Sequence, residues 1–170
     1  VLGPSSVRPE RNNINVIPVT SAKEMFDATT AAFHNSDIAV LCAAVADFRP
    51  ETVADHKIKK NPDVDVLTLK LVKTEDILKC LGQHKRDNQL LVGFALETNN
   101  GIENAQIKLQ SKNLDRIVLN TMNEPGVGFK FNTNKVSIIT KDDAVLSFEK
   151  KPKNQVALDI LNVIHQSFTK

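Results

Sequence analysis

The chain of 170 residues has no tryptophan and no tyrosine, and only 6 glycines and 2 cysteines. Lacking Trp and Tyr, it has no ready stacking surface for single-stranded nucleic acid. Cys42 and Cys80 lie in apolar segments without CxxC spacing, which argues against a disulfide or zinc framework and predicts buried thiols. No GxGxxG, GxxxxGK(S/T) or GxSxG is present, so no glycine-rich phosphate loop is visible. The four histidines, at 34, 56, 84 and 165, have no neighbour at metal-ligand spacing. No apolar run approaches the roughly 20 residues of a membrane span. There is no basic-then-apolar leader either, and a soluble, cytoplasmic protein without a membrane partner is expected. A net charge of +2, with both signs spread along the chain, offers no basic face to a nucleic acid.

What is present is an alternation of strand-like and helix-like segments. The run 38-IAVLCAAVA-46 is nearly all apolar, as expected of a parallel strand covered on both faces. A second such run, 90-LLVGFALE-97, is followed by an amphipathic stretch ending near Asn113, and 116-RIVLN-120 reads as a short buried strand. Upstream, 14-INVIPV-19 precedes a helix announced by Ser21 and Glu24 as a capping box. The segment 66-VLTLKLVK-73 alternates like a half-exposed strand before a helix at 74–86. Runs 135–141 and 144–150 flank Asp142-Asp143 as a hairpin, and 154–168 is a final helix. These signals predict one α/β domain, a Rossmann-like open and mainly parallel sheet flanked by helices, with a late antiparallel hairpin. Val1-Leu2 before Gly3-Pro4 reads as the end of a strand, as if the usual N-terminal strand and helix were missing.

In such sheets ligands sit beyond the carboxyl ends of the strands. That rule singles out Asp47, the Glu97 region and Asn120. Asp47 is either an ordinary loop or cap acid or an acceptor for a ligand hydroxyl. Lys57, Lys59 and Lys60 are a solvated charged loop or cations for a phosphate, and in an extended segment Lys60 faces away from the other two. Phe94 is a core aromatic or the wall of a base pocket. Lys108 and Lys112 lie four apart, on one face of a helix.

The blocks AAVADFRP (43–50), KIKK (57–60), GFALET (93–98), KNLD (112–115) with IVLN (117–120), and GFKFNTNKVSII (128–139) occur in an order that resembles bacterial phosphopantothenoylcysteine synthetase. The resemblance implies a ligase that joins 4'-phosphopantothenate to L-cysteine through an acyl-cytidylate formed from CTP with Mg2+. It also implies a homodimer, and fusion to or association with a flavin-dependent phosphopantothenoylcysteine decarboxylase. By motif, the nucleotide would meet Leu41, Cys42, Ala43 and Asp47, then Glu75, Asp76, Ile77 and Leu78, and finally Phe94, Lys108 and Lys112. Lys57 would act on the triphosphate as the catalytic cation. Thr74-Glu75 stand where the family has Asn-Pro, and Leu96 stands where Ala is usual. The family's N-terminal TAGxTxExID and SNxSSGKMG segments do not precede Val1. A nucleotide-binding or assembly fragment without turnover is therefore the alternative. A third reading is an NAD(P) oxidoreductase.

Overall fold

A computed structural model describes residues 1–5, 9–59, 65–121 and 131–168; Lys60 and the loop at 124–129 lie outside the described residues. In chain order the elements are α1 (Ala22–Phe33), β1 (Ile38–Leu41), β2 (Phe48–Pro50), β3 (Leu71–Lys73), α2 (Ile77–His84), β4 (Leu90–Glu97), α3 (Gly101–Ser111), β5 (Arg116–Thr121), β6 (Thr133–Asn134), β7 (Val136–Thr140), β8 (Val145–Ser147), β9 (Lys151–Pro152) and α4 (Lys153–Phe168). They fall into two units, Val1–Ala31 with Ala43–Ile77, and Ala32–Cys42 with Leu78–Lys170.

The second unit carries a five-stranded sheet in the order β1-β4-β5-β7-β8. Strands β1, β4 and β5 run parallel, and the predicted hairpin adds β7 and β8 antiparallel. The mixed α/β, Rossmann-like architecture expected from the alternation is the one observed. Alternation along β4 sorts its side chains. Leu90, Val92 and Phe94 join Val118, Val136 and Ile138 beneath Val156, Ile160 and Ile164 of α4. Each fully buried aliphatic side chain there contributes about 1.5–3 kcal/mol. On the opposite face, a Cβ at Gly93 would stand 2.9 Å from Leu114 and 3.0 Å from Leu78 of α2, so glycine permits that close approach.

Strand β1 departs from expectation. It ends at Leu41 rather than Ala46, and as the sheet's edge strand it leaves Ile38 and Val40 each 40% exposed. A continuous apolar run does not distinguish an edge strand from a doubly covered one. Cys42, just past the strand, is exposed instead of buried.

In the first unit α1 starts at the predicted cap: Glu24 N–H donates to Ser21 Oγ at 3.1 Å, while Glu24 Oε2 accepts at 2.7 Å from the N–H of Thr20, one residue before the cap. The run 14–19 makes a parallel bridge between Leu2 and Pro18, and the next rung would need an N–H at residue 4, where Pro4 has none. Of 66–73, only β3 pairs, antiparallel to β2. Thr74 N–H and Oγ1 then donate to the carbonyls of Asp47 and Ala46, at 2.9 and 2.6 Å.

The tightest polar construction lies at the start of β5. Asp115 Oδ2 accepts the Leu91 N–H at 2.7 Å, and both its oxygens lie 2.7 Å from Lys85 Nζ, whose side chain is only 7% exposed. Lys85 also donates to the Asn113 carbonyl at 3.1 Å. Asn113, at φ 50°, turns the chain out of α3 and donates Nδ2 to the Gly82 carbonyl at 2.8 Å. The KNLD block is thus the turn that fastens the ends of α2 and α3 to the sheet. Asp115→Ala would leave a buried ammonium and the Leu91 N–H without their acceptor, a loss of about 3–5 kcal/mol, checked by the shift in urea midpoint. A Cβ at Gly82 would sit 1.8 Å from the Lys112 carbonyl oxygen. Because backbone cannot yield as a side chain does, Gly82→Ala is expected to cost about 3 kcal/mol or more in the same measurement.

Candidate functional site

Strands β4 and β5 are parallel and paired Leu96↔Asn120 and Glu97↔Thr121, so their carboxyl ends finish together. Helix α3 begins at Gly101 after Asn100 in the left-handed region at φ 49°. Gly101 lets the helix start against the sheet, since a Cβ there would come within 3.2 Å of Leu119. The turn places three side chains together. Glu97 Oε1 accepts from Lys108 Nζ at 2.5 Å and Oε2 from Asn104 Nδ2 at 3.2 Å; Asn104 also donates to the Asn99 carbonyl at 3.2 Å. The Lys108 hydrogen bond, followed by that from Asn104, holds the Glu97 carboxyl below its ordinary value against the opposing effect of burial. Glu97 is therefore a fixed anion, while the Lys108 side chain remains 44% exposed.

Beside this cluster, Asn134 Nδ2 donates to Asn120 Oδ1 at 2.8 Å, and Asn134 Oδ1 accepts from the Lys135 N–H at 3.0 Å. With its oxygen engaged, Asn120 has its amide N–H groups left without a partner among the described residues. The carboxyl edge therefore presents an ammonium, a fixed carboxylate and amide donors. This set suits an oxygen-rich ligand.

The predicted residues fall in both units. Leu41 ends β1, with Cys42 exposed after it. Ala43, Asp47, Lys57, Glu75, Asp76 and Ile77 belong to the first unit, where Lys57 and Lys59 are exposed and Thr74 brings the 74–76 turn to Asp47. Ile77 is buried at the head of α2, and Leu78 faces Gly93. Phe94 packs against the core under α4, and Lys112 is the C-cap of α3, one residue beyond the helix that Lys108 sits on. Asn104 and Asn134 were not anticipated. The spacing of Asn104 and Lys108, four apart on α3 behind a strand-ending acid, is the signal that marks Asn104. Asn134 is marked by none, because its contact spans the chain from β6 to β5.

A family described as DNA/pantothenate metabolism flavoprotein C-terminal domain matches residues 1–168. A relative named cysteine/cysteine sulfinic acid decarboxylase, from an unknown prokaryotic organism, is 52% identical over 164 residues, covering 96% of this chain and 45% of its own. The coenzyme A biosynthesis bifunctional protein CoaBC of Bacillus subtilis (strain 168) is 43% identical over 164 residues, 96% of this chain and 40% of its own. The chain thus spans less than half the length of these relatives. A crystal structure of the C-terminal domain of a CoaBC protein superposes with TM-score 0.78 at 34% identity, over 98% of this chain and 72% of that one. The Streptococcus pneumoniae DNA/pantothenate metabolism flavoprotein, at 16% identity and TM-score 0.79 over 97% of this chain and 79% of that one, shares the fold.

These findings correct the activity that the motif blocks implied. The family is described by a flavoprotein, and the 52% relative is named for carbon–carbon cleavage rather than ligation. The phosphopantothenoylcysteine synthetase assignment, the ligase reaction with 4'-phosphopantothenate and L-cysteine, and CTP with Mg2+ are set aside. Lys108 is paired with Glu97, and among the described residues no group of three or more His, Cys, Asp or Glu is placed to hold a metal ion. No helix among the described residues is long and apolar enough to cross a membrane. With its whole described length matched, the chain belongs to the family of DNA/pantothenate metabolism flavoprotein C-terminal domains.

Proposed function

We propose that this chain is the C-terminal, ligand-holding domain of a flavin-dependent decarboxylase system of coenzyme A biosynthesis, working on a cysteine-type carboxylate. The observation that carries this reading is the 52% identity, along 96% of the chain, to a protein named for decarboxylating cysteine and cysteine sulfinic acid. The bifunctional relatives named for coenzyme A biosynthesis support the pathway and the joining of this span to a second activity. A cytoplasmic location belongs to the same reading, as does a homodimer through the open β8 edge, where Val145 and Leu146 are 39% and 41% exposed.

A groove of about 600 Å³ lies at the amino ends of β4 and β5, and with one apolar residue, Leu90, among its nine lining residues it lacks the flat apolar walls that an isoalloxazine ring needs. Phe94, partly buried, packs against the core under α4. The flavin is accordingly assigned to another domain, and no step here runs through it. What this chain contributes is the carboxyl edge: Asn120 donates to a ligand oxygen, the exposed part of Lys108 meets a negative charge, and Glu97 with Asn104 fixes where that ammonium points.

The test supplies the chain to the flavin-loaded remainder of the Bacillus subtilis relative and follows CO2 release from L-cysteine, cysteine sulfinate and phosphopantothenoylcysteine. Release per flavin is expected to rise several-fold, and Asn120→Ala is expected to remove most of the gain. No rise with any of the three substrates contradicts the reading. The ion pair makes a second prediction. Because the folded Glu97 carboxyl lies below its ordinary value of 4.5, its stabilisation is present above that value and is lost as pH falls through the lower folded value. With Lys108 partly exposed the pair contributes no more than about 1 kcal/mol. Acid titration of urea stability should show a shallower fall below pH about 4.5 in Glu97→Gln than in the native chain, and equal slopes would refute the assignment.

A further inference from the structure

The groove described above opens at the other edge of the sheet. Leu90 and Arg116 begin β4 and β5, and the Lys141-Asp142 turn closes the antiparallel β7 at the same end. At about 3.3 Å per residue, the eight residues of β4 place this edge roughly 20–25 Å from Glu97. Arg116 reaches across to α4, where Nη2 donates to Ser167 Oγ at 2.6 Å, and Ser167 in turn donates to the Val163 carbonyl at 3.0 Å. Its other contact is a long one, Nη1 to the Asp115 carbonyl at 3.5 Å, and its buried Nε has no hydrogen-bond partner.

The charge balance around this guanidinium is unusual. The carboxylate nearest in sequence, Asp115, is committed to Lys85 and the Leu91 N–H. Arg116 therefore forms no ion pair among the described residues, and neither does Lys141 on the same groove wall. A partly buried guanidinium with spare N–H groups and no counter-ion is incomplete in a way that an oxyanion would complete. Besides Asp115, two further acids line the groove. Asp142 accepts from Thr140 Oγ1 at 2.5 Å, while Asp87 stands exposed. Their charge works against a polyanion, which would meet both, and leaves room for one small oxyanion at Arg116.

We propose that the Arg116–Lys141–Ser167 groove is a second binding site, for a small oxyanion of phosphate or carboxylate type, separate from the carboxyl edge. Arg116 supplies the forked contact, Ser167 holds the guanidinium in place, and Lys141 adds charge from the rim.

The test titrates inorganic phosphate, and separately acetate, into the isotopically labelled chain and follows backbone amide shifts. Saturable shifts at Arg116, Lys141 and Ser167 with either probe support the site, and the probe that binds more tightly identifies the oxyanion. Arg116→Gln should weaken binding about tenfold, the size expected for loss of a charge-assisted contact. Lys141→Ala, on an exposed turn that the core does not depend on, should weaken it about two- to fivefold. If Arg116→Gln loses its dispersed spectrum, Lys141→Ala carries the test alone. Absence of saturable shifts, shifts confined to the carboxyl edge, or native affinity in the folded variants would overturn the proposal.

Discussion

The carboxylate of Asp115 is the point on which the second unit depends. One side chain accepts the first free amide of β4, neutralises a lysine that is almost wholly buried, and stands at the entry to β5. Around it, Asn113 in the left-handed conformation and Gly82 under the Lys112 carbonyl let two helix ends and two strand ends meet. Buried charges of this kind are costly singly and tolerable when paired and hydrogen-bonded, as Lys85 and Asp115 are. The parallel register of β4 and β5 is pinned at this end.

With the amino edge fastened, the carboxyl edge is left to polar side chains. Glu97, Asn104, Lys108, Asn120 and Asn134 arrange themselves on strand ends and a helix start, and Leu96 and the turn at 98–100 are exposed. The division matches the general behaviour of open α/β sheets, which bind ligands beyond the carboxyl ends of their strands. The groove at Arg116 follows from the same construction. Because Asp115 is spent on Lys85, the neighbouring guanidinium has no counter-charge among the described residues.

Much of the fold was legible because its signals are local. A nearly continuous apolar run placed β4, the Ser21 cap placed α1, and two runs around Asp142-Asp143 placed the β7–β8 hairpin. What failed was long-range. Whether 38–46 is a doubly covered strand or a short edge strand depends on which strands flank it, and no periodicity encodes that. The same holds for 66–73, where alternation is present and only β3 finds a partner. At the site, Glu97 and Asn120 were legible from strand ends, but the Glu97–Lys108 pair was not, because it joins a strand end to a position well along the following helix. The motif blocks misled on activity for a related reason. KNLD and the glycine of GFALET report how the scaffold closes, and proteins with different named activities share that scaffold.

The sheet is held firmly where Asp115 fastens it and loosely at its carboxyl edge. Native-state hydrogen exchange along β4, β5 and α3 measures this directly. The amides of Leu91, Val92 and Ile117 should exchange only through global unfolding, and those from Glu97 to Asn104 through local openings of much lower free energy. Uniform protection along β4 into α3, or stronger protection at Glu97 than at Leu91, would contradict it.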